Sequence, residues 1–172
     1  MVAGQPTGAT TFYDWDHRNR LVKVTKRTGP NETDTVTETI DFVYDFANRL
    51  AQRDHDPDGP GGTAVQTDHY LWDGYELVGV TGYNSLVFAS GPAPDMVLFE
   101  SATTLHALLG DHLNTVRDVI ATNGTVENHL VYNSYGEVKS QTPGAYSPFH
   151  RFTGKPFDVA IGLQYNINRW YD

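Results

Sequence analysis

Three carboxylates at Asp54, Asp56 and Asp58, followed by Gly59, spell Asp-x-Asp-x-Asp-Gly. Acids two residues apart can turn their oxygens onto one hard cation, and a following glycine permits the sharp turn of a calcium loop. Pro57 intrudes on that loop, and Val65 stands where the closing bidentate Glu belongs. Asp68 could close the shell only from an irregular loop. Composition favours a solvated, turn-rich loop, with calcium at Asp54, Asp56 and Asp58 as the metal alternative. No other cofactor is implied.

The remaining chemistry-bearing residues point away from catalysis. The 7 histidines lack zinc-type spacing. His106 and His112 share a face of a regular strand but stand too far apart to chelate together, so structural roles are expected. His112, Asp111 and Ser134 supply the residue types of a hydrolytic triad, yet no nucleophile-elbow sequence accompanies them. Trp15, Tyr44 and Trp72 could stack on sugar rings, but packing accounts for the same register. Arg20 and Arg49 are expected to cross a turn to an Asp carboxylate. No enzymatic activity is expected.

These residues sit on a chain of 172, enough for one modest core. With 12 Lys and Arg against 21 Asp and Glu, the formal charge is −9. Such a surface repels phosphate backbones and anionic membranes, which excludes nucleic acid as a partner. There is no Cys, so disulfide and thiolate-metal frameworks are excluded. The N-terminus has no signal-peptide pattern, and no apolar run is long enough to span a bilayer.

The elements that must position the side chains are β throughout. Short runs of Tyr, Phe, Val and Thr alternate with Gly, Asn, Asp and Pro clusters, without a sustained helical period. Strands are predicted over 10–15, 21–27, 36–44, 67–72, 76–81, 86–89 and 96–99. Further strands are predicted over 105–109, 116–121, 125–132 and 163–170. Asn123-Gly124 predicts a hairpin turn with positive φ at both positions. Residues 54–62 and 90–95 read as loops.

An internal repeat organises the first half. Tyr13-Asp14-Trp15-Asp16-His17-Arg18-Asn19-Arg20-Leu21 aligns with Phe42-Val43-Tyr44-Asp45-Phe46-Ala47-Asn48-Arg49-Leu50, at an offset of 44 − 15 = 29 residues. Tyr70-Leu71-Trp72-Asp73-Gly74-Tyr75-Glu76-Leu77 is an eroded third copy, at an offset of 72 − 44 = 28 and one residue shorter. Each copy carries aromatics at i and i+2, which share one strand face. Asp16 and Asp45 can accept turn N–H groups. Asn19 and Asn48 suit a left-handed reversal. Arg20 and Arg49 open the returning strand, and Leu21 and Leu50 rejoin the core. Such a hairpin cannot bury its own face and needs stacked neighbours.

The repeat resembles the YD repeat of the Rhs/YD-repeat family, with Asn in the usual Gly position. The second half resembles the Rhs repeat-associated core. The segments that carry this likeness are Asp111-His112-Leu113-Asn114-Thr115-Val116-Arg117, Tyr132-Asn133-Ser134-Tyr135-Gly136 and Phe152-Thr153-Gly154-Lys155. Gly162-Leu163-Gln164-Tyr165 and Arg169-Trp170-Tyr171-Asp172 complete it.

The resemblance implies an all-β strip of YD-repeat hairpins, of the kind that spirals into a hollow shell. Residues 1–82 would be YD-type repeats and 83–172 a core-like segment continuous with them in one structural unit. It further implies a structural scaffold, part of a shell that encloses a C-terminal toxin or forms a surface protein. Its expected partners are the remainder of a longer Rhs-type chain or its toxin cargo, and an extracellular or cell-surface location is implied. Self-association through edge strands is expected. The alternative is a carbohydrate- or cell-surface-binding module with a glycan partner. The self-cleavage of some relatives cannot be carried onto any residue here.

Overall fold

A computed structural model describes residues 8–143, 146–167 and 169–172. It is all-β apart from a 3-10 turn at Phe152–Gly154. Among the described residues no helix is long and apolar enough to cross a membrane. Two compact units divide the chain, Met1–Tyr70 and Leu71–Asp172.

The first unit contains Thr10–Trp15 (β1), Leu21–Arg27 (β2), Val36–Tyr44 (β3), Leu50–Asp56 (β4) and the start of Gln66–Asp73 (β5). Each strand is antiparallel to the next in chain order. Period-2 alternation sends Ile40 and Phe42 of β3 inward, beside Leu21 and Val24 of β2 and Leu50 of β4. These five side chains are the unit's apolar core. The opposite face is polar, with Lys23 Nζ on Asp41 Oδ1 at 2.8 Å and Gln52 donating to Asp54 Oδ2 at 2.7 Å.

The second unit continues with Glu76–Gly82 (β6), Leu86–Ser90 (β7), Val97–Ser101 (β8), Leu105–Gly110 (β9), Val116–Ile120 (β10) and Val126–His129 (β11). From β6 to β11 these too are antiparallel neighbours in chain order. Val131–Tyr132 (β12) pairs with Val138–Ser140 (β13). Phe157–Asp158 (β14), Leu163–Tyr165 (β15) and Trp170–Tyr171 (β16) make a small third sheet. Leu108, Val116, Val119, Leu130 and Tyr132 form one core cluster, with Val97, Val138, Tyr146 and Phe152 packed against it.

Several expectations need correction. Residues 54–56 are strand, not loop: β4 pairs Asp54, His55 and Asp56 with Asp41, Ile40 and Thr39. Their carboxylates are tolerated there because that side of the sheet is polar. The run over 125–132 breaks at Leu130, whose N–H donates to Arg117 O at 2.7 Å while its side chain is fully buried. The run over 163–170 is a hairpin, closed by Asn166 N–H on Arg169 O at 2.8 Å with Ile167 at φ 55°. At Asn123-Gly124 only Gly124 has positive φ, 84°. Asn123 instead turns its Oδ1 onto the Thr125 N–H at 3.0 Å, which fixes a longer turn than the two-residue kind.

Candidate functional site

One five-residue turn recurs along the chain. Its first residue donates N–H to the fifth residue's carbonyl, and its fourth donates back to the first. In the 16–20 turn those bonds are Asp16 to Arg20 and Asn19 to Asp16, both 2.9 Å. The 45–49, 111–115, 121–125, 133–137 and 151–155 turns repeat them. The fourth residue is always left-handed: Asn19 at φ 60°, Asn48 at 65°, Asn114 at 60°, Gly124 at 84°, Gly136 at 94° and Gly154 at 66°. This is a turn followed by a one-residue bulge, which matches the twist of the flanking strands. The shortened copy at Asp73 differs, leaving only Gly74 and Tyr75 between β5 and β6.

The first residue supplies the chemistry. Asp16 Oδ1 accepts the N–H groups of Arg18 and Arg20, both at 2.9 Å, while Oδ2 accepts Arg20 Nε at 2.7 Å. Asp45 does the same with Ala47 and Arg49. Asp111 holds the Leu113 and Thr115 N–H groups and takes its guanidinium from Arg117 instead. Asn133 accepts from the N–H groups of Tyr135 and Glu137, and its own amide donates to Glu137 Oε2 at 2.9 Å. The polarity of the pair is reversed there and the geometry is kept. In the first unit the turns are also tied together. Arg20 reaches Asn48 Oδ1 at 3.1 Å and lies over the Tyr44 ring, whose hydroxyl donates to Leu21 O at 2.8 Å. Trp15, the equivalent of Tyr44 one repeat earlier, stands 46% exposed on β1.

These contacts set the acidity of the caps. The Arg20 side chain first, helped by the Arg20 and Arg18 N–H groups, brings Asp16 down to about 2 against the opposing effect of burial. Burial raises Asp45 and Asp111, but the N–H groups and guanidinium facing each more than offset it, and both lie below the usual carboxylate range. A carboxylate whose pKa is lowered by folding stabilises the fold above its unfolded value. That stabilisation is lost as pH falls through the folded value. Thermal melts are therefore expected to show Tm falling between pH 4 and pH 2, with a smaller fall in the Asp16→Asn, Asp45→Asn, Asp111→Asn triple variant.

A second set of contacts gathers around residues 151–155 in the second unit. Thr153 and Gly154 are both left-handed, at φ 52° and 66°. The Thr153 N–H donates to Oγ1 of buried Thr115 at 3.0 Å, and Val116 N–H donates to Arg151 O at 3.1 Å. A Cβ on Gly154 would overlap the Asp95 carbonyl oxygen, and one on Gly136 would come within 2.6 Å of the Phe152 ring. Lys155 Nζ pairs with Asp95 Oδ1 at 2.5 Å, and Asn114 Nδ2 donates to Pro94 O at 3.0 Å. The segment is thus a keystone that fastens the 91–96 loop to the 111–115 turn. Burial pushes the Tyr132 hydroxyl beneath it up to about 12 and lowers Arg151. Beside the keystone lies a cavity of about 590 Å³, lined by Trp72, Tyr75, Pro92, Met96, His150 and Tyr165 among others.

Two of the three proposed calcium ligands are drawn into other work, while Asp56 Oδ1 is buried without a hydrogen-bond partner among the described residues. Asp54 accepts from Thr67 Oγ1 at 2.7 Å, and Asp58 accepts the Thr63 N–H and hydroxyl. Among the described residues, no three His, Asp or Glu side chains are placed to hold one metal ion. Millimolar calcium is expected to leave the Tm of chelator-stripped protein unchanged. A rise that Asp56→Ala abolishes would instead establish calcium at Asp54, Asp56 and Asp58. Asp111 of the hydrolytic constellation uses both oxygens on its own turn and Arg117.

Sequence reasoning passed over two turns and one acid. Asp111-x-x-Asn114 and Asn133-x-x-Gly136 carry the spacing of Asp16-x-x-Asn19, a signal that could have found them. Glu100 is wholly enclosed. Its clue is an acid at an inward position of the apolar run Val97-Leu98-Phe99-Glu100.

No protein-family model matches the sequence, and no curated protein does. Solved structures do match in fold. The crystal structure of TcdB2-TccC3 without its hypervariable C-terminal region superposes at a TM-score of 0.71 and 14% identity, covering 94% of this chain. The Photorhabdus luminescens Tc holotoxin pore superposes at 0.68 and 15%, again over 94%. The likeness is one of fold. This chain spans about 8% of the length of either.

Proposed function

We propose that the chain is a non-catalytic structural scaffold, a stretch of Rhs-type β-hairpin shell of the kind that encloses a C-terminal toxin or forms a surface protein. The observation that carries this reading is the five-residue turn, built six times to one pattern among the described residues. A module repeated in that way lengthens a strip, and each hairpin leaves a face or edge for a neighbour. The fold likeness, 94% of this chain against 8% of the TcdB2-TccC3 chain, supports a place within a longer wall. On this reading the partners are the rest of such a chain and its cargo. Asp16, Asp45 and Asp111 spend their carboxylates on their own turns, which supports a structural role for them. Intact-mass measurement during long incubation from pH 4 to 8 tests the non-catalytic reading: one unchanged species is expected. Discrete fragments in a protease-free preparation would identify a self-cleaving enzyme and overturn it.

A further inference from the structure

The third copy of the repeat keeps the aromatic residue, the acid and the leucine of the first two but reverses a charge. Arg20 and Arg49 stand immediately before the core leucines Leu21 and Leu50, whereas the residue before Leu77 is Glu76. Asp73 occupies the place of Asp16 and Asp45, so the position that neutralises those two acids here carries a second carboxylate. The shortened turn leaves only Gly74 and Tyr75 between them, with Gly74 left-handed at φ 58°. Among the described residues neither the Asp73 nor the Glu76 carboxylate has an ion pair or a hydrogen bond.

Both acids line the cavity of about 590 Å³ beside the keystone, together with Trp72, Tyr75 and Tyr165. Asp95 and Lys155 line it too, but they neutralise each other in an ion pair at 2.5 Å. His150 lies in the wall with its Nδ1 3.7 Å from the buried carboxylate of Glu100. The negative charge left over in the wall is therefore that of Asp73 and Glu76. Tyr75 stands 68% exposed between them in the chain.

The first copy shows what such groups hold. Asp16 accepts Arg20 Nε at 2.7 Å, and the same guanidinium lies 4.9 Å from the centre of the Tyr44 ring. A carboxylate beside an aromatic face is a seat for a cation. The third copy supplies two acids and a ring at such a seat, with Glu76 in place of the arginine. A hard metal ion needs several oxygens converging on one point. Among the described residues no three acids or histidines are placed to do that. The space suits a larger guest, since small-molecule sites span about 300–1,000 Å³ and are mostly apolar with a few polar groups.

We propose that this cavity is a binding site for an organic cation, an ammonium group carried on an apolar body. Asp73 and Glu76 supply the counter-charge, Tyr75 a π-face, and Trp72, Pro92 and Met96 the apolar wall. The site rests on the cavity and the reversed charge, and stands whether or not the scaffold reading holds.

Titration of the isotope-labelled full chain with choline, followed at the Trp72 indole N–H resonance under constant ionic strength, tests it. The resonance is expected to shift saturably with a midpoint of about 10 mM or below, while that of Trp15 stays in place. The uncharged isostere of choline, with carbon in place of the quaternary nitrogen, is expected to bind about fivefold more weakly or worse. Asp73 and Glu76 are both exposed. The Asp73→Asn, Glu76→Gln double variant should weaken choline by about fivefold and leave the isostere unchanged. Tyr75→Leu, which keeps apolar bulk without a π-face, should weaken choline by about threefold. The tripeptide N-acetyl-glycyl-lysyl-glycinamide separates two sources of the charge. Binding tighter than choline assigns the cavity to a basic side chain of a partner, and weaker binding assigns it to a free ammonium ligand. Equal binding of choline and its isostere, choline binding that the double variant leaves intact, or a Trp72 resonance that no probe moves would overturn the site.

Discussion

Gly154→Ala is expected to destabilise the second unit by roughly 3 kcal/mol or more. Two costs combine. A left-handed backbone at φ 66° disfavours any Cβ by about 1–2 kcal/mol, and overpacking a closed contact adds about 1–3 kcal/mol. The obstructing atom is the Asp95 carbonyl oxygen, part of a backbone already held by Asn114 and Lys155. A flexible side chain could move aside; this carbonyl cannot without lifting the 91–96 loop. Urea denaturation followed by tryptophan fluorescence would measure the loss. Gly124→Ala provides the comparison, because a Cβ there meets nothing within 4 Å and only the backbone cost remains. Equal effects at the two glycines would remove the keystone from the account.

Asp45→Ala is expected to cost about 2 kcal/mol, the second-largest effect. It strips the acceptor from the Ala47 and Arg49 N–H groups and the ion-pair partner from Arg49. Asp45→Asn keeps the first loss small and isolates the second. The 121–125 turn already has Ala121 in the capping place, with Asn123 capping Thr125 instead, so Ala121→Asp should gain little. At the fourth position, Asn48→Gly eases the backbone but loses the acceptor that Arg18 and Arg20 reach, so its net cost should be small, whereas Asn48→Val adds a β-branched residue's resistance to positive φ and should cost about 1 kcal/mol or more beyond it. Chemical denaturation of the series checks all five, and a common midpoint for Asp45→Ala and wild type would count against the cap.

The turns of the first half were legible because their determinants are local. An acid, an Asn three residues on and an Arg after it lie within one hydrogen-bonded ring, so spacing alone carries the geometry. Strand positions were legible where one face is apolar, as in β3. They were not at residues 54–56, where Asp-His-Asp reads as a loop but pairs with β3 across a polar face. The keystone and the Phe149–Glu100 contact were out of reach for a different reason. Phe149 and Glu100 are 49 residues apart, and Thr153 and Thr115 are 38 apart. Nothing in the sequence near either residue announces its partner. Leu130 likewise looks like one more strand residue until its N–H is seen to turn to Arg117.

The scaffold reading is tested most directly by light scattering on the isolated chain over a wide concentration range. Within the described residues β1 pairs only with β2, and its outer edge carries Tyr13 and Trp15 at 41% and 46% exposure. Such an edge is a template for another strand. The account predicts a mass that rises with concentration and returns to the monomer in Trp15→Lys, which sets a charge on that edge. A strictly monomeric wild-type chain at every concentration would contradict it, and an independent binding module would then be the better description.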